Sequence, residues 1–331
     1  MKILVTGSAG HLGEALMRTL AASSAHRTVG VDVLPSAHTH HVGSIADRAF
    51  VRAHMAGVEA VLHAATLHKP HVATHTRQAF VDTNITGTLN LLEEAVAAGV
   101  QAFVFTSTTS AFGRALVPPP GEPAAWITED VVPVPKNIYG ATKVAAEDLC
   151  ALVQRDHGMP CIVLRTSRFF PEGDDDEHAA AAYHADNLKV SEFLYRRVDI
   201  EDVVSAHLLA IERARAIGFA RYIISATTPF TRDDLAELRR DTPAVVRRRV
   251  PAYAAAYERL RWAMLPTIDR VYVNERARRD LGWRPRHDFA SVVARLAAGE
   301  DDFRSALARA VGSKGYHRQA PAALERHTAS P

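Results

Sequence analysis

Cysteine, tryptophan and methionine are scarce in this chain: two, three and five residues among 331. Two cysteines, Cys150 and Cys161, cannot build a disulfide framework, and both sit in apolar surroundings that suit buried thiols. No apolar run approaches the ~18 residues that cross a bilayer, which excludes a helical membrane span. An excess of one charge is lacking too. Lysine and arginine number 39 against 37 acidic residues, a net charge of +2 that gives nucleic acid or an anionic membrane no footing. The run Arg247-Arg248-Arg249 reads as a solvated face. The chain opens directly on an apolar segment with no room for a signal peptide, so a cytoplasmic location is expected. What is plentiful is hydrophobic residue, 47%, enough for one large α/β domain or a domain with a lobe.

The segment around which the rest is organised is Thr6-Gly7-Ser8-Ala9-Gly10-His11-Leu12-Gly13. It follows the apolar run Lys2 to Val5, a buried strand, and precedes Glu14 to Leu20, whose apolar spacing is helical. A glycine-rich turn between a strand and a helix lets the backbone approach a phosphate and presents free N–H groups and a dipole end to it. The next apolar run ends in Asp32, roughly 20 residues on, where a carboxylate can accept hydrogen bonds from a ribose 2′-hydroxyl. The same carboxylate repels a 2′-phosphate, and no arginine follows it in Val33-Leu34-Pro35, so NAD is expected over NADP.

Strand and helix patterns then alternate, as a parallel doubly wound sheet requires. Val42 to Ala46 is a short third strand leading to Asp47, the cap of the next helix. Ala60 to Ala65 is a fourth strand whose small residues leave space for a ligand beyond its end. Phe80 to Gly99 is helical. Gln101 to Thr106 is a strand ending in the hydroxyl run Thr106 to Ser110. The proline-rich stretch Val117 to Pro135 is expected to be a fixed surface loop without regular structure. Tyr139 opens a helix to about His157, and Cys161 to Arg165 is a further strand. Beyond Pro171 the alternation loosens: Glu172 to His178 reads as an exposed acidic turn and Ala179 to Leu194 as a helix. Residues 1–170 are thus expected to form the dinucleotide-binding domain, 171–317 a small substrate lobe that returns to the core, and 318–331 a loose tail. His38, His40 and His41 read as an exposed polar loop. His68, His71 and His75 follow the Ala64-Ala65-Thr66 corner; His68 is expected to contact substrate, and no metal is expected, for want of a third ligand.

Tyr139 and Lys143 stand four apart on one helix face. An ammonium beside a phenol favours the phenolate, as does an oxidised nicotinamide ring, so the tyrosine pKa is expected to fall. Tyr139 could then take a proton from an alcohol while a hydride leaves its carbon, with Thr108 hydrogen-bonded to the same oxygen.

These segments together resemble the extended short-chain dehydrogenase/reductase superfamily, in particular its NAD-dependent epimerase/dehydratase group, over about residues 1 to 300. The resemblance rests on Thr6 to Gly13, His63-Ala64-Ala65, Asn84-Ile85-Thr86-Gly87-Thr88, Thr106-Ser107-Thr108 with Phe112-Gly113, Tyr139 to Lys143, Leu164-Arg165 and Leu281 to Pro285. It implies a Rossmann-type α/β fold and Thr108, Tyr139 and Lys143 as the catalytic trio. It implies NAD bound by Gly7, Gly10, His11, Leu12, Gly13, Asp32, Ser44, Ile45, Ala64, Ala65, Thr66, Asn84, Tyr139 and Lys143. It also implies a homodimer through the helices at 80–99 and 139–157, which Leu149 and Leu152 would suit.

The departures bear on substrate. Ser44 stands where the group often has an adenine-contacting aspartate, and Arg168 where it has a nucleotide-sugar-contacting asparagine. Only about 25 residues separate Pro171 from Arg197, where the group's nucleotide-sugar epimerases carry a longer insertion. The first expectation is therefore an NAD-dependent dehydrogenase of a small polar alcohol, a sugar or sugar acid, with Arg168 gripping an anionic group. The alternative is a nucleotide-sugar epimerase or dehydratase that recycles bound NAD. A non-enzymatic NAD sensor would go with loss of the Tyr–Lys pair, and both residues are present.

Overall fold

The computed structural model describes residues 1–173, 181–300 and 302–315. Seven parallel strands form the central sheet in the order β3-β2-β1-β4-β5-β7-β8. They are β1 (Lys2–Thr6), β2 (Arg27–Asp32), β3 (His41–Val42), β4 (Ala60–His63), β5 (Ala102–Thr108), β7 (Cys161–Thr166) and β8 (Phe219–Ile224). The chain runs outward from β1 to β3, then returns to the other side of β1 with β4. The strand order therefore reverses between β1 and β4, and ligands of such sheets bind beyond the strand ends at that point.

Both faces are covered. On one, the helices His11–Ala21 and Ile200–Ile217 bury Leu12, Leu16, Leu20, Val203 and Ala210 with Trp283. On the other, the helices Arg48–Met55, Gly87–Ala97 and Ile138–His157 bury Val51, Leu91, Leu92, Ala146, Val153 and both free thiols, Cys150 and Cys161. The strands are apolar on both sides because neither face meets water. A separate cluster of Val190, Phe193, Leu238, Val246, Tyr257, Phe289 and Val293 forms the core of a lobe built from the helices Ala185–Glu192, Thr242–Arg249, Tyr253–Leu260 and Phe289–Ala297. The lobe follows β7 in sequence, but β8 lies between its segments and completes the sheet.

The proline-rich stretch differs from expectation. It contains β6 (Ala125–Ile127), which pairs in parallel with β9 (Arg270–Tyr272). The prolines lie at 118–120, 123, 133 and 135. Ala125 to Ile127 holds none, so each strand residue keeps the N–H that pairing requires. The helix expected over Phe80 to Gly99 is present but interrupted: Val81–Thr86 forms a π turn before Gly87–Ala97. Thr231 and Asp234 cap each other reciprocally at the start of the next helical turn. Arg248 and Arg249 are less free than a solvated run, because both pair with Asp234. The expected tail, 318–331, lies outside the described residues.

Candidate active site

One cleft of about 550 Å³ runs across the carboxyl ends of the strands, and the residues named from the sequence meet there. Gly7, Gly10, His11, Leu12, Gly13, Asp32, Ser44, Ile45, Ala64, Ala65, Thr66, His68, Thr108, Tyr139, Lys143 and Arg168 all line it. Asn84 does not.

At the β1 end the backbone geometry demands glycine. Gly7 sits at φ +74°, and a Cβ there would lie 2.7 Å from Ala65 N. A Cβ on Gly13 would lie 1.9 Å from Gly7 O. Gly10 offers the following helix no side-chain cap, so its first N–H groups face the cleft. Asp32 accepts Ala9 N–H through Oδ2 and Leu34 N–H through Oδ1, each at 2.9 Å, which fixes the carboxylate beside the turn. A tight turn, an uncapped helix and a carboxylate at the end of β2 fit a dinucleotide with an unmodified ribose.

Buried polar brackets hold this end in place. His63 links Thr6 Oγ1 at 2.8 Å to Thr88 Oγ1 at 2.9 Å. Thr88 already donates to Asn84 O, so His63 Nε2–H donates to Thr88 and Nδ1 accepts from Thr6. Burial and the Lys143 charge hold the His63 pKa well below its usual value, so the ring is neutral. Asn84 spends its whole amide on the protein. It accepts from Leu67 N at 2.8 Å and Thr66 Oγ1 at 3.0 Å, and donates to Leu67 O and Thr142 Oγ1. It braces the corner that lines the cleft, and its neighbour Thr83 does the lining.

The central trio is buried: Thr108 and Tyr139 are each 8% exposed and Lys143 2%. Thr108 caps its own turn, accepting Ser110 N–H at 3.1 Å, and hydrogen-bonds Tyr139. Ser107, the other hydroxyl on offer, faces away and donates to Glu147 at 2.5 Å. Alternation along β5 therefore selects Thr108. Lys143 donates to Thr106 O at 2.6 Å and lies 4.1 Å over the Phe105 ring.

The expected fall in the tyrosine pKa is not found in the protein alone. Burial pushes Tyr139 up to about 12, against the smaller opposing effect of Thr108. Burial pulls Lys143 down to about 7, opposed by the Glu147 carboxylate one turn on. Sequence spacing puts an ammonium near a phenol, but it does not show the desolvation that both groups suffer.

At the far end of the cleft the lining turns cationic. Arg168, Arg196 and Arg270 line it with Tyr272, and Lys69 and His71 are further lining residues. Arg168 donates to Gly173 O and lies 3.9 Å from Glu192, which also holds Arg196 and Arg197 at 2.7 Å each. Three guanidinium groups thus share one carboxylate. Arg270 Nη1 is held by Asp269, while its Nε is buried without a hydrogen-bond partner. Asp32 is the one carboxylate among the described residues that line the cleft.

Of the acidic turn expected over Glu172 to His178, residues 174–178 lie outside the described residues; the Glu172 side chain is buried with its carboxylate 3.2 Å from His11 Nε2. His68 stacks on Phe170 with ring centroids 5.8 Å apart. His68, His71 and His75 bring no further ligand with them. Among the described residues the group with metal-ligand spacing is Asp199, Glu201 and His287, remote from the trio in the fold. Sequence reasoning did not single out Arg196, Arg270, Glu147 or Thr83. Glu147 had a signal, because four residues past Lys143 is one helical turn.

A doubly wound sheet with a glycine turn at the switch point and a buried Thr–Tyr–Lys set defines a dinucleotide-dependent enzyme of the extended short-chain dehydrogenase/reductase type. The chain belongs to the NAD dependent epimerase/dehydratase family, whose profile matches residues 3–224, and NAD is its cofactor. It is 28% identical over 326 residues to the UDP-glucose 4-epimerase of Rhizobium meliloti, a match covering 88% of this chain and 94% of that protein. A second match, 30% identical over 167 residues, covers 49% of this chain and 39% of an uncharacterized protein of Sinorhizobium fredii. A short-chain dehydrogenase/reductase superfamily protein from Agrobacterium tumefaciens, crystallised with bound NAD, superposes with a TM-score of 0.61 at 24% identity, covering 90% of this chain and 96% of that one.

Proposed function

We propose that this enzyme moves a hydride between NAD and a secondary alcohol carbon of a sugar-type substrate that carries an acidic group. The observation that carries the reading is the cleft itself: a buried Tyr139 with its Thr108 partner at the centre, an uncapped helix and Asp32 at one end, arginines at the other. NAD, when bound, supplies the hydride acceptor. Gly7, Gly10, Gly13 and the N–H groups of His11 and Leu12 take its pyrophosphate. Asp32 takes the adenosine ribose, and Ala64, Ala65 and Thr66 flank the dinucleotide.

Tyr139 Oη accepts the proton of the substrate hydroxyl as the hydride leaves the same carbon. Thr108 Oγ1 hydrogen-bonds that oxygen, and the Tyr139 phenolate becomes a phenol as it takes the proton. Lys143, released from Thr106 O or sharing its protons with it, supplies the positive charge that stabilises the phenolate. The acidic group lies toward Arg196 and Arg270, where a guanidinium offers a planar fork of donors. Arg168 and His68 complete that wall.

A second reading is favoured by the UDP-glucose 4-epimerase relative. In it the hydride returns to the other face of the same carbon and NAD is regained within one turnover. The proposal extends to a homodimer through the faces bearing Leu149 and Leu152, the latter 39% exposed. No helix among the described residues is long and apolar enough to cross a membrane.

The test is a panel of uronates, aldonates, aldoses and UDP-sugars with NAD, read for NADH and for sugar isomers. NADH accumulation marks the dehydrogenase, and isomer formation without NADH marks the epimerase. Dependence on a substrate acidic group that Arg270→Met abolishes supports the assignment of the cationic end. Retention of the full preference for acidic over neutral substrates in that variant contradicts it.

A further inference from the structure

The described chain ends by crossing back over the glycine turn. The helix Ala306–Val311 packs Leu307, Ala308 and Val311 into the core beside the helices His11–Ala21 and Ile200–Ile217. Its cap is anchored, since Ser305 donates through Oγ and N to Asp199 at 2.6 and 3.1 Å. Gly312 at φ +62° then turns the chain toward the cleft. Ser313 Oγ donates to Glu172 Oε1 at 2.7 Å. Lys314 N–H sits between Glu172 Oε1 at 3.3 Å and His11 Nε2 at 3.2 Å. Lys314 Nζ pairs with Glu14 on the next turn of the same helix.

Three segments distant in sequence thus meet at one carboxylate: the glycine turn, the segment after β7 and the C-terminal strap. The Glu172 side chain is 7% exposed and that of His11 2%. Burial alone would raise the Glu172 pKa, but His11 and Ser313 hold it down at about 2, which favours the charged carboxylate. The glycine turn and the segment after β7 line the cleft. His11 is on the helix end that faces a pyrophosphate, and Phe170 lies edge-on to His11 with centroids 5.5 Å apart.

We propose that Glu172 is a positioning residue for the cofactor: with Ser313 and Lys314 it straps the C-terminal segment to His11 and sets how fast NAD leaves. For the dinucleotide to depart, the mouth between the glycine turn and the Phe170 segment has to open. The strap ties its two sides to each other and to the Val311 anchor. Breaking the tie lowers the cost of opening and leaves the phosphate-facing N–H groups intact, so the effect falls on dissociation. The Lys314 ammonium also offsets the Glu14 carboxylate, which stands one residue past the glycine turn on the helix behind it.

The test needs no substrate. NADH is bound to the full-length protein and chased with excess NAD, and the fluorescence decay gives the dissociation rate. Glu172→Gln, nearly isosteric, and Ser313→Ala, at an edge of the strap, are compared with the parent. Both are expected to raise the dissociation rate at least threefold with association within twofold, and the double variant to exceed Glu172→Gln by less than the product of the two. A smaller rise in both folded variants overturns the proposal. So does slower dissociation of Glu172→Gln with faster association, the pattern of a carboxylate that merely repels phosphate. If Glu172→Gln does not fold, Ser313→Ala alone decides by the same threefold criterion.

Discussion

Binding of NAD should convert Tyr139 from an inert phenol into a usable base, and the conversion can be measured without knowing the substrate. In the protein alone its pKa stands at about 12, because burial penalises the phenolate. Bringing it near 8 requires roughly four units, about 5–6 kcal/mol at 1.36 kcal/mol per unit. A single positive charge about 5 Å away contributes about 3 kcal/mol at an effective dielectric constant near 20. One cation therefore supplies about half of the shift, and two supply all of it. The two are the oxidised nicotinamide ring and Lys143. Lys143 itself stands at about 7, so it is part neutral at physiological pH, and phenolate formation would draw its proton back. The assay is ultraviolet tyrosinate absorbance against pH, parent minus Tyr139→Phe, with NAD, with NADH and with neither. Tyr195 is itself pushed up to about 12 by burial and cancels in the subtraction. NAD should lower the Tyr139 pKa by at least two units, NADH by less than one, and Lys143→Met should cut the NAD effect roughly in half. Equal titration with NAD and NADH would refute the electrostatic reasoning.

Further outcomes follow from single contacts. NADPH should bind about a hundredfold more weakly than NADH, and Asp32→Asn should close most of that gap while weakening NADH, since Ala9 and Leu34 lose a charged acceptor; direct titration of both nucleotides checks it. Asn84→Ala removes four hydrogen bonds at a buried corner and should cost about 2–4 kcal/mol of stability in chemical denaturation. His207 is buried between Thr106 Oγ1 and Val203 O, and burial depresses its pKa to about 4. The unfolded chain binds a proton there first, so its stabilisation is complete above about pH 6.5 and is lost as pH falls toward 4. The loss is up to about 3 kcal/mol, and His207→Gln should flatten that part of the stability–pH curve.

Much of this was legible in the sequence because the motifs are local. The glycine turn, Asp32 at the end of β2 and the Tyr139–Lys143 spacing each depend on a few adjacent residues whose geometry the chain direction fixes. The resemblance implied Thr108, and the structure turns Ser107 toward Glu147. What sequence could not supply was depth. The burial that raises Tyr139 and lowers Lys143 comes from packing between β5, β7 and the long helix. Pairings across long separations were equally hidden: β6 with β9, Arg168 with Glu192, and Glu172 with Ser313. Asn84, expected to bind NAD, is instead absent from the cleft lining and braces the corner beside it, a role that depends on contacts with Thr66, Leu67 and Thr142.

The central claim is that Tyr139 passes a proton while a hydride moves between NAD and a sugar-type hydroxyl. The most direct test uses substrate from the acidic panel carrying deuterium on the reacting carbon. The account predicts transfer of that deuterium to the nicotinamide ring, slowed by the isotope and abolished in Tyr139→Phe with NAD affinity unchanged. Product formation without deuterium reaching the nicotinamide, or normal turnover in Tyr139→Phe, would contradict it.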